Sequence, residues 1–405
     1  MLRRLGFIAA IAAALAVVVS TTAWGSAKAP RTAAAATASV KCGKTVTIGV
    51  AYPATGAVAA AGANQFDWAR TAQKLWNKSH RPRIRLVYGD TKLDTDASAN
   101  IAVAHSFASN GKMLALTGPA GSQEVQASNS IYKGSGLASI SPSATRIFLT
   151  RAMTGNPRQT AKGYFFRTVP NDGEQGQAVA KYIHGTLKEK HVYIIDDGTS
   201  YSTGLADQVQ ANLKQDGVST VRNHTTTSVV DYSSLITSIP NNTQLVYIPW
   251  QVAGNANTFY QQSQTANRKY KIFGSDGTDV PGTFEPKGVG YVSGFPVDAT
   301  SKTYKAFSKA HGGPETFGIP TYTAVWVNAR AVQMACKAGH GKTTRAAVRK
   351  DIPKVQLTSA QSLLGFAVKF LKKNFSTFQG PGDMAAPASF GIYHVNSSGA
   401  YVRVG

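Results

Sequence analysis

The chain has 405 residues, of which 43% are hydrophobic and 9% aromatic, with only 2 Cys. This composition excludes disordered, collagen-like and disulfide-scaffold proteins, and the length predicts two domains of ordinary size or one large α/β domain. The 43 Lys and Arg residues outnumber the 20 Asp and Glu residues and give a formal net charge of +23, which raises the question of a nucleic-acid partner.

The first 41 residues have the pattern of an export signal followed by an Ala-rich leader. Arg3 and Arg4 form a basic start, and an apolar run of 13 residues covers 7–19. This run is shorter than the roughly 20 residues that a membrane-spanning helix needs. We therefore predict that 1–41 is a signal peptide and leader and that the remaining chain is extracytoplasmic. An uncleaved N-terminal anchor is the alternative.

Residues 42–405 remain strongly basic, with a charge of +18 once the five basic residues of 1–41 are removed. Most of these bases stand singly, apart from Lys372-Lys373 and the stretch 81–85. No basic stripe interleaved with aromatic residues and no known nucleic-acid module is present, so we expect no nucleic-acid partner. The charge indicates a solvated surface that adsorbs to anionic envelope polymers or lipids, or attraction for an anionic solute.

Cys42 and Cys336 leave three alternatives open. In an oxidising compartment they can pair, or both can be buried free thiols. A lipid anchor on Cys42 is opposed by Lys41, which stands where a lipobox needs a small residue, and by the end of the apolar run at Val19. We favour a disulfide between Cys42 and Cys336.

From residue 45 onward, strand-like apolar runs alternate with amphipathic helical stretches, which is typical of βαβ units and parallel sheets. The first series predicts strands at 46–50, 84–88, 113–117 and 137–140, with helices at 62–77, 95–109 and 122–132. The second predicts strands at 191–196, 218–223, 245–248 and 271–273, with helices at 172–187, 201–215, 231–239 and 253–265. Helices at 304–310 and 321–338 and a hairpin at 389–404 follow. The fold class is therefore α/β, with two series placed end to end.

The sequence contains no convincing catalytic motif. A G-x-S-x-G elbow is absent, and Gly341-Lys342-Thr343 only imitates the end of a P-loop because Cys336 stands where that motif needs its first Gly. The eight His residues have no ligand spacing, and the two Cys residues are far apart in sequence. We predict no enzymatic activity, no cofactor and no metal.

The loops at the carboxyl ends of two predicted strands are the candidate binding elements, because open α/β sheets bind ligands at that edge. Strand 113–117 leads into Gly118-Pro119-Ala120-Gly121-Ser122, which places Ser122 at a helix N-terminus. Strand 137–140 leads into Ser141-Pro142-Ser143-Ala144-Thr145. Hydroxyls and free amides on two successive turns suit a carboxylate or phosphate oxygen, although each turn alone is also an ordinary helix cap.

An ordered set of motifs resembles the type I periplasmic-binding proteins, in particular the branched-chain amino-acid (Leu/Ile/Val) binding branch that serves ABC importers. The resemblance covers 44–405 and rests on the two loops above and on later segments: Phe166-Arg167-Thr168-Val169-Pro170-Asn171-Asp172, Tyr201-x-x-Gly204-Leu205, Asp231-Tyr232-Ser233, Phe273-Gly274-Ser275-Asp276-Gly277 and Tyr322-x-x-Val325.

The resemblance implies two Rossmann-like lobes with parallel central sheets, joined by three crossovers near 166–170, 293–297 and 360–370. Lobe I would comprise 42–167 and 296–362, and lobe II would comprise 168–295 and 363–405.

The resemblance also implies the roles of the site residues. Ser122, a backbone group of Ser143 and Thr145 would hold a ligand carboxylate. The second lobe would supply the aromatic Tyr201 and the acidic Asp276, which would take the ammonium; without the family, the Ser-Asp-Gly sequence favours a plain turn residue at Asp276.

Three places depart from the family pattern, and in the late segment near the third crossover Leu371 and Phe375 replace an Asp and a Gly that are frequent there. Ala61 stands where an aromatic residue is frequent, and Trp250-Gln251 replaces another expected aromatic, so that Gln251 would bond a polar or amide group and Trp250 would supply a displaced apolar wall.

These features imply a monomeric extracytoplasmic solute-binding protein that passes a small amino acid, or a related amide or carboxylate, to an ABC permease. The alternative is a secreted ligand-sensing module that reports to a receptor, which the absence of a lipobox favours slightly.

Overall fold

The computed structural model describes residues 38–94, 96–152, 163–311, 316–385 and 390–405. The predicted signal peptide and most of the leader lie outside the described residues. Among the helices of the described part of the chain, none combines the length and hydrophobicity required to cross a membrane.

Lobe I is built on a five-stranded sheet whose strands are all parallel, in the order β3-β2-β4-β5-β6. These strands are β2 (Thr45–Tyr52), β3 (Arg83–Asp90), β4 (Met113–Thr117), β5 (Ser139–Ser141) and β6 (Phe165–Arg167). The short strand that precedes them, β1 (Val40–Lys41), pairs elsewhere with β12 (Lys342–Thr343). Every residue of β4 is buried, as expected of a central strand that is covered on both faces.

Helices cover both faces of this sheet. They are α1 (Ala59–Ser79), α2 (Ser98–Ser109), α3 (Ser122–Gly134), α8 (Lys302–His311), α9 (Gly318–Ala338), α10 (Arg345–Asp351) and α11 (Ser359–Ser362). In α1, the spacing of Trp68, Ala72 and Trp76 places these three side chains on one buried face, and α1 packs against α9 in the main core of the lobe.

Lobe II is built on a seven-stranded mixed sheet in the order β16-β15-β11-β10-β9-β7-β8. Its strands are β7 (His191–Asp196), β8 (Ser219–His224), β9 (Leu245–Ile248), β10 (Lys271–Gly274), β11 (Gly290–Gly294), β15 (Gly391–Val395) and β16 (Tyr401–Arg403). Its helices are α4 (Asp172–Lys181), α5 (Ser200–Gln215), α6 (Ser233–Ser238) and α7 (Ala253–Thr265). Apolar clusters on each side of the sheet complete a three-layer α/β lobe, and the predicted fold class is confirmed.

Strand β11 was absent from the sequence-based prediction. Its sequence, GYVSG, begins and ends with glycine, which weakens any strand signal. In the sheet, β11 is held by backbone hydrogen bonds to β10 on one side and to β15 on the other.

The third crossover differs from the prediction. The segment 363–385 was assigned to lobe II, but Leu363, Val368, Phe370 and Met384 are buried in the main core of lobe I. This segment includes β14 (Val368–Lys369), which pairs with β13 (Gln356–Leu357). The chain therefore still belongs to lobe I at Met384, and the next described strand, β15, belongs to the sheet of lobe II.

A disulfide joins Cys42 to Cys336 across a sequence separation of 294 residues. It links the residue that follows β1 to the last turn of α9. The covalent bond and the β1–β12 pair hold the start of the described chain against lobe I.

Candidate functional site

The cleft lies between the carboxyl ends of the parallel strands of the two sheets. It contains a cavity of about 60 Å³. Most of its lining side chains are small or apolar. The complete lining consists of Ala57, Val58, Ala60, Ala61, Leu93, Ala120, Gly121, Ser122, Ser143, Tyr201, Gln251, Ala253, Asp276, Gly277, Val280, Thr283 and Phe317. The lining has one carboxylate, Asp276, and no Lys, Arg or His.

Ser122 and Ser143 form the polar end of the cavity on lobe I. Ser122 is the first residue of α3, where backbone N–H groups have no acceptor within the helix, and its hydroxyl accepts a 3.3 Å hydrogen bond from the Arg146 amide. The Ser143 hydroxyl donates to the Ala120 carbonyl at 2.8 Å and accepts from Gln65 Nε2 at 3.1 Å. These bonds hold two hydroxyls beside a helix N-terminus, an arrangement suited to an anionic oxygen.

Asp276 and Tyr201 form the polar end on lobe II. Asp276 follows β10, and its Oδ1 lies 2.5 Å from the Tyr201 hydroxyl, which also lies 2.7 Å from Ser275 Oγ. Burial raises the pKa of Asp276 to about 7 because water no longer solvates the charged form. No cationic side chain lines the cavity to pair with this carboxylate.

Gly277 allows the chain to bring Asp276 and Tyr201 together. Its amide donates to the Tyr201 hydroxyl at 3.1 Å. A Cβ at this position would lie 2.4 Å from the Trp250 carbonyl oxygen, so only glycine fits between the two loops.

Gln251 lines the cavity, but both ends of its amide have protein partners. Its Oε1 accepts from Gln123 Nε2 of lobe I at 2.8 Å, and its Nε2 donates to the Leu93 carbonyl at 3.3 Å. The predicted bond to a polar ligand group is therefore replaced by a bridge between the lobes.

Trp250 does not form a wall of the cavity, contrary to the prediction. It is 1% exposed, donates from its indole to the Ile195 carbonyl at 2.7 Å and packs on Tyr232. The indole points into the core of lobe II because its N–H finds an acceptor on the neighbouring strand β7.

Thr145 also lies outside the cavity lining. Its side chain is fully buried, and its carbonyl accepts a 2.9 Å hydrogen bond from the amide of Asp172, the first residue of α4. Thr145 thus connects a lobe I loop to lobe II through its backbone, and its role in holding a ligand carboxylate stays a prediction.

Arg146 joins the two lobes beside the cavity, and sequence reasoning missed it. Its guanidinium donates to Thr203 Oγ1 at 2.8 Å and to the Ser200 carbonyl. Gln126 Nε2 donates to the Ser200 hydroxyl at 2.7 Å. With the Gln123–Gln251 bridge, these bonds describe a closed cleft. The only sequence signal was a charged residue directly after the Ser- and Thr-rich loop.

The apolar walls were also missed, because they come from distant parts of the chain. Leu93 lies in the turn after β3, Val280 follows the loop that carries Asp276, and Phe317 immediately precedes α9. Phe317 is 9% exposed and packs edge-to-face on Phe295. The position of Leu93 after a strand was the one available signal.

The described residues contain no group of three or more His, Cys, Asp or Glu side chains arranged to hold a metal ion. The geometry is that of a cleft with two hydroxyls beside a helix N-terminus at one end, one carboxylate at the other end and apolar walls.

Comparison with known proteins identifies the family to which the chain belongs. The model of the family described as periplasmic binding protein matches residues 45–385. The Leu/Ile/Val-binding protein homolog 1 of Brucella abortus is 26% identical over 304 residues, which are 72% of this chain and 78% of that protein.

Two solved structures share the fold. A leucine-binding protein of Thermotoga maritima has a TM-score of 0.73 at 19% identity, and the match covers 89% of this chain and 98% of that one. A solute-binding protein of an ABC transporter from R. palustris, in complex with benzoate, has a TM-score of 0.71 at 17% identity, over 89% and 96% of the two chains. The family is one of non-enzymatic solute-binding proteins, in agreement with the prediction that the chain is not an enzyme. The match over most of its length shows that this chain belongs to the periplasmic binding protein family.

Proposed function

We propose that this protein captures a small amino acid with an apolar side chain in the cleft, outside the cytoplasm, and delivers it to an ABC permease. The observation that carries the proposal is the cavity-lining Asp276, which has no cationic partner in the lining, opposite the Ser122 and Ser143 hydroxyls. A zwitterion supplies both missing charges, since its ammonium pairs with Asp276 and its carboxylate lies at the N-terminus of α3.

The walls of the cavity favour a ligand with an apolar side chain. Ala57, Ala60, Ala61, Val280 and Phe317 offer no hydrogen-bonding side-chain group. A charged ligand side chain buried against them would lose its hydration without gaining a partner, so the cavity favours alkyl side chains.

The relatives support the transport role. The Brucella protein is named for Leu, Ile and Val, and the R. palustris protein is named as part of an ABC transporter. These names do not support the sensing alternative. In this proposal, a permease distinguishes the closed form, in which the two lobes are bridged, from an open one.

A thermal-shift screen of the chain from residue 38 onward, which keeps strand β1, tests the proposal. The probes are L-leucine, L-valine and L-alanine, with 4-methylpentanoate and isoamylamine as matched compounds that lack the ammonium or the carboxylate. A ligand present at about a thousand times its Kd stabilises the folded state by about 4 kcal/mol, which raises the midpoint. We expect the zwitterions alone to raise it. An equal shift with 4-methylpentanoate would contradict the role of Asp276.

A further inference from the structure

Three segments that carry no acidic residue, 38–47, 76–86 and 326–344, meet on one surface of lobe I. Their Lys and Arg side chains are all exposed: Lys41, Lys44, Lys78, Arg81, Arg83, Arg85, Arg330, Lys337 and Lys342. We call this surface the basic base. The ion pairs found among the described residues use other side chains.

Backbone and covalent contacts hold the first and last of these segments together. The disulfide links Cys42 to Cys336, and the Cys42 amide donates to the Gly341 carbonyl at 2.8 Å. In the antiparallel β1–β12 pair, Lys41 stands directly opposite Lys342. Like charges in such a pair destabilise the sheet, so this arrangement does not serve folding.

The middle segment joins the same surface through two further contacts. The Arg83 amide donates to the Lys44 carbonyl at 3.0 Å, and Gln333 Nε2 donates to the Arg81 carbonyl at 2.7 Å. A surface hollow is lined by Arg81, Arg330 and Lys337 together with uncharged residues. Three cations around one hollow suit a single phosphate group.

The basic base lies at the end of lobe I away from the cleft. Strands β2, β3 and β4 are parallel, and their carboxyl ends face the cleft. Lys44 and Arg83 stand at the amino ends of β2 and β3, which is the opposite edge of the sheet. An anion bound there leaves the cleft unobstructed.

We infer that the basic base binds a linear phosphate-bearing polymer of the cell envelope. The choice of a polymer over a bilayer rests on the proposed function, because delivery to a permease requires the cleft to face the membrane. If the basic base were bound to the bilayer, the cleft would point away from the membrane. A polymer outside the membrane holds the protein near its permease with the cleft free.

The test compares two triple variants with the same change in net charge. The base variant is Arg81→Gln, Arg330→Gln and Lys337→Gln. The control variant, Lys181→Gln, Lys214→Gln and Lys269→Gln, neutralises three exposed lysines of lobe II. Affinity for fluorescent poly(glycerol phosphate) is measured by anisotropy over a range of salt concentrations.

We expect the base variant to lower the slope of log affinity against log salt by about two, since each lost contact removes about 0.7. That change corresponds to about a hundredfold weaker binding at about 0.1 M salt relative to wild type. The control variant should bind nearly as wild type does.

An equal loss in both variants would overturn the inference, because net charge alone would then explain binding. Tighter binding of wild type to phosphatidylglycerol vesicles than to the polymer would also overturn it and identify the membrane as the partner. Thermal shifts with L-leucine and L-valine, measured on both variants, separate this inference from the proposed function. Specific polymer binding without any amino-acid shift would support the basic base and contradict the amino-acid ligand.

Discussion

Replacing Asp276 with Asn removes the carboxylate of the cavity while keeping its size. Asp276 is 2% exposed and the lining contains no cation, so the bound ammonium would be its sole charged partner there. Loss of one member of a buried, hydrogen-bonded charge pair costs about 2–5 kcal/mol. At about 1.4 kcal/mol per tenfold, Asp276→Asn should raise the Kd for L-leucine or L-valine by roughly 30- to 5,000-fold at a pH above 7.

The pH dependence gives a second measure of the same contact. Burial raises the pKa of Asp276 in the empty site to about 7, so the group is protonated below that pH. Binding an ammonium requires the ionised form, and the proton must leave. Affinity should therefore fall as pH decreases below about 7, by about tenfold per unit and about a hundredfold at about pH 5. In Asp276→Asn this dependence should disappear.

Isothermal titration calorimetry between about pH 5 and pH 8 measures both effects. The matched control is Asp279→Asn. Asp279 is equally buried, has a pKa raised to about 7 by burial, and accepts a 2.9 Å bond from Thr316 Oγ1, but it does not line the cavity. This control should keep the pH dependence of binding. Unchanged Kd and slope in Asp276→Asn, or loss of the slope in Asp279→Asn alone, would refute the assignment.

Three further predictions concern contacts within the protein that do not involve the charged groups of the ligand. Arg146→Ala removes a guanidinium that donates hydrogen bonds to lobe II, and each such bond contributes about 1.5–3 kcal/mol. Stopped-flow measurements should therefore show ligand dissociation at least about tenfold faster, with little change in the association rate. An unchanged dissociation rate would contradict the role of Arg146 as a bridge between the lobes. The double change Cys42→Ser and Cys336→Ser should lower the free energy of unfolding in urea by about 2–4 kcal/mol, as should reduction of wild type, whereas reductant should not affect the variant further. Gly277→Ala places a Cβ 2.4 Å from the Trp250 carbonyl and should abolish detectable binding while the far-ultraviolet circular dichroism stays the same; wild-type affinity would show that the loop moves freely.

Local sequence was sufficient for the fold class and for part of the site. Apolar strands such as β4 and β9 alternate with helices, and this pattern depends only on which face of each element is buried. The loops after β4 and β5 pointed to Ser122 and Ser143, and both residues line the cavity because parallel strands bring their carboxyl ends to one edge. Tyr201 and Asp276 were found through the family resemblance, since a turn residue in Ser-Asp-Gly carries no distinctive signal of its own.

The tertiary structure alone decided which groups meet across the cleft. Gln251 and Trp250 are neighbours in sequence, yet one bridges the lobes and the other is buried in a core, because each side chain follows the acceptor that folding brings within reach. Phe317 lines the cavity from a helix start more than a hundred residues away from Ser143 and Tyr201. The segment before residue 385 belongs to lobe I because its apolar side chains fill that core. Periodicity shows that a face is buried, but the partner that buries it is set by contacts between distant parts of the chain.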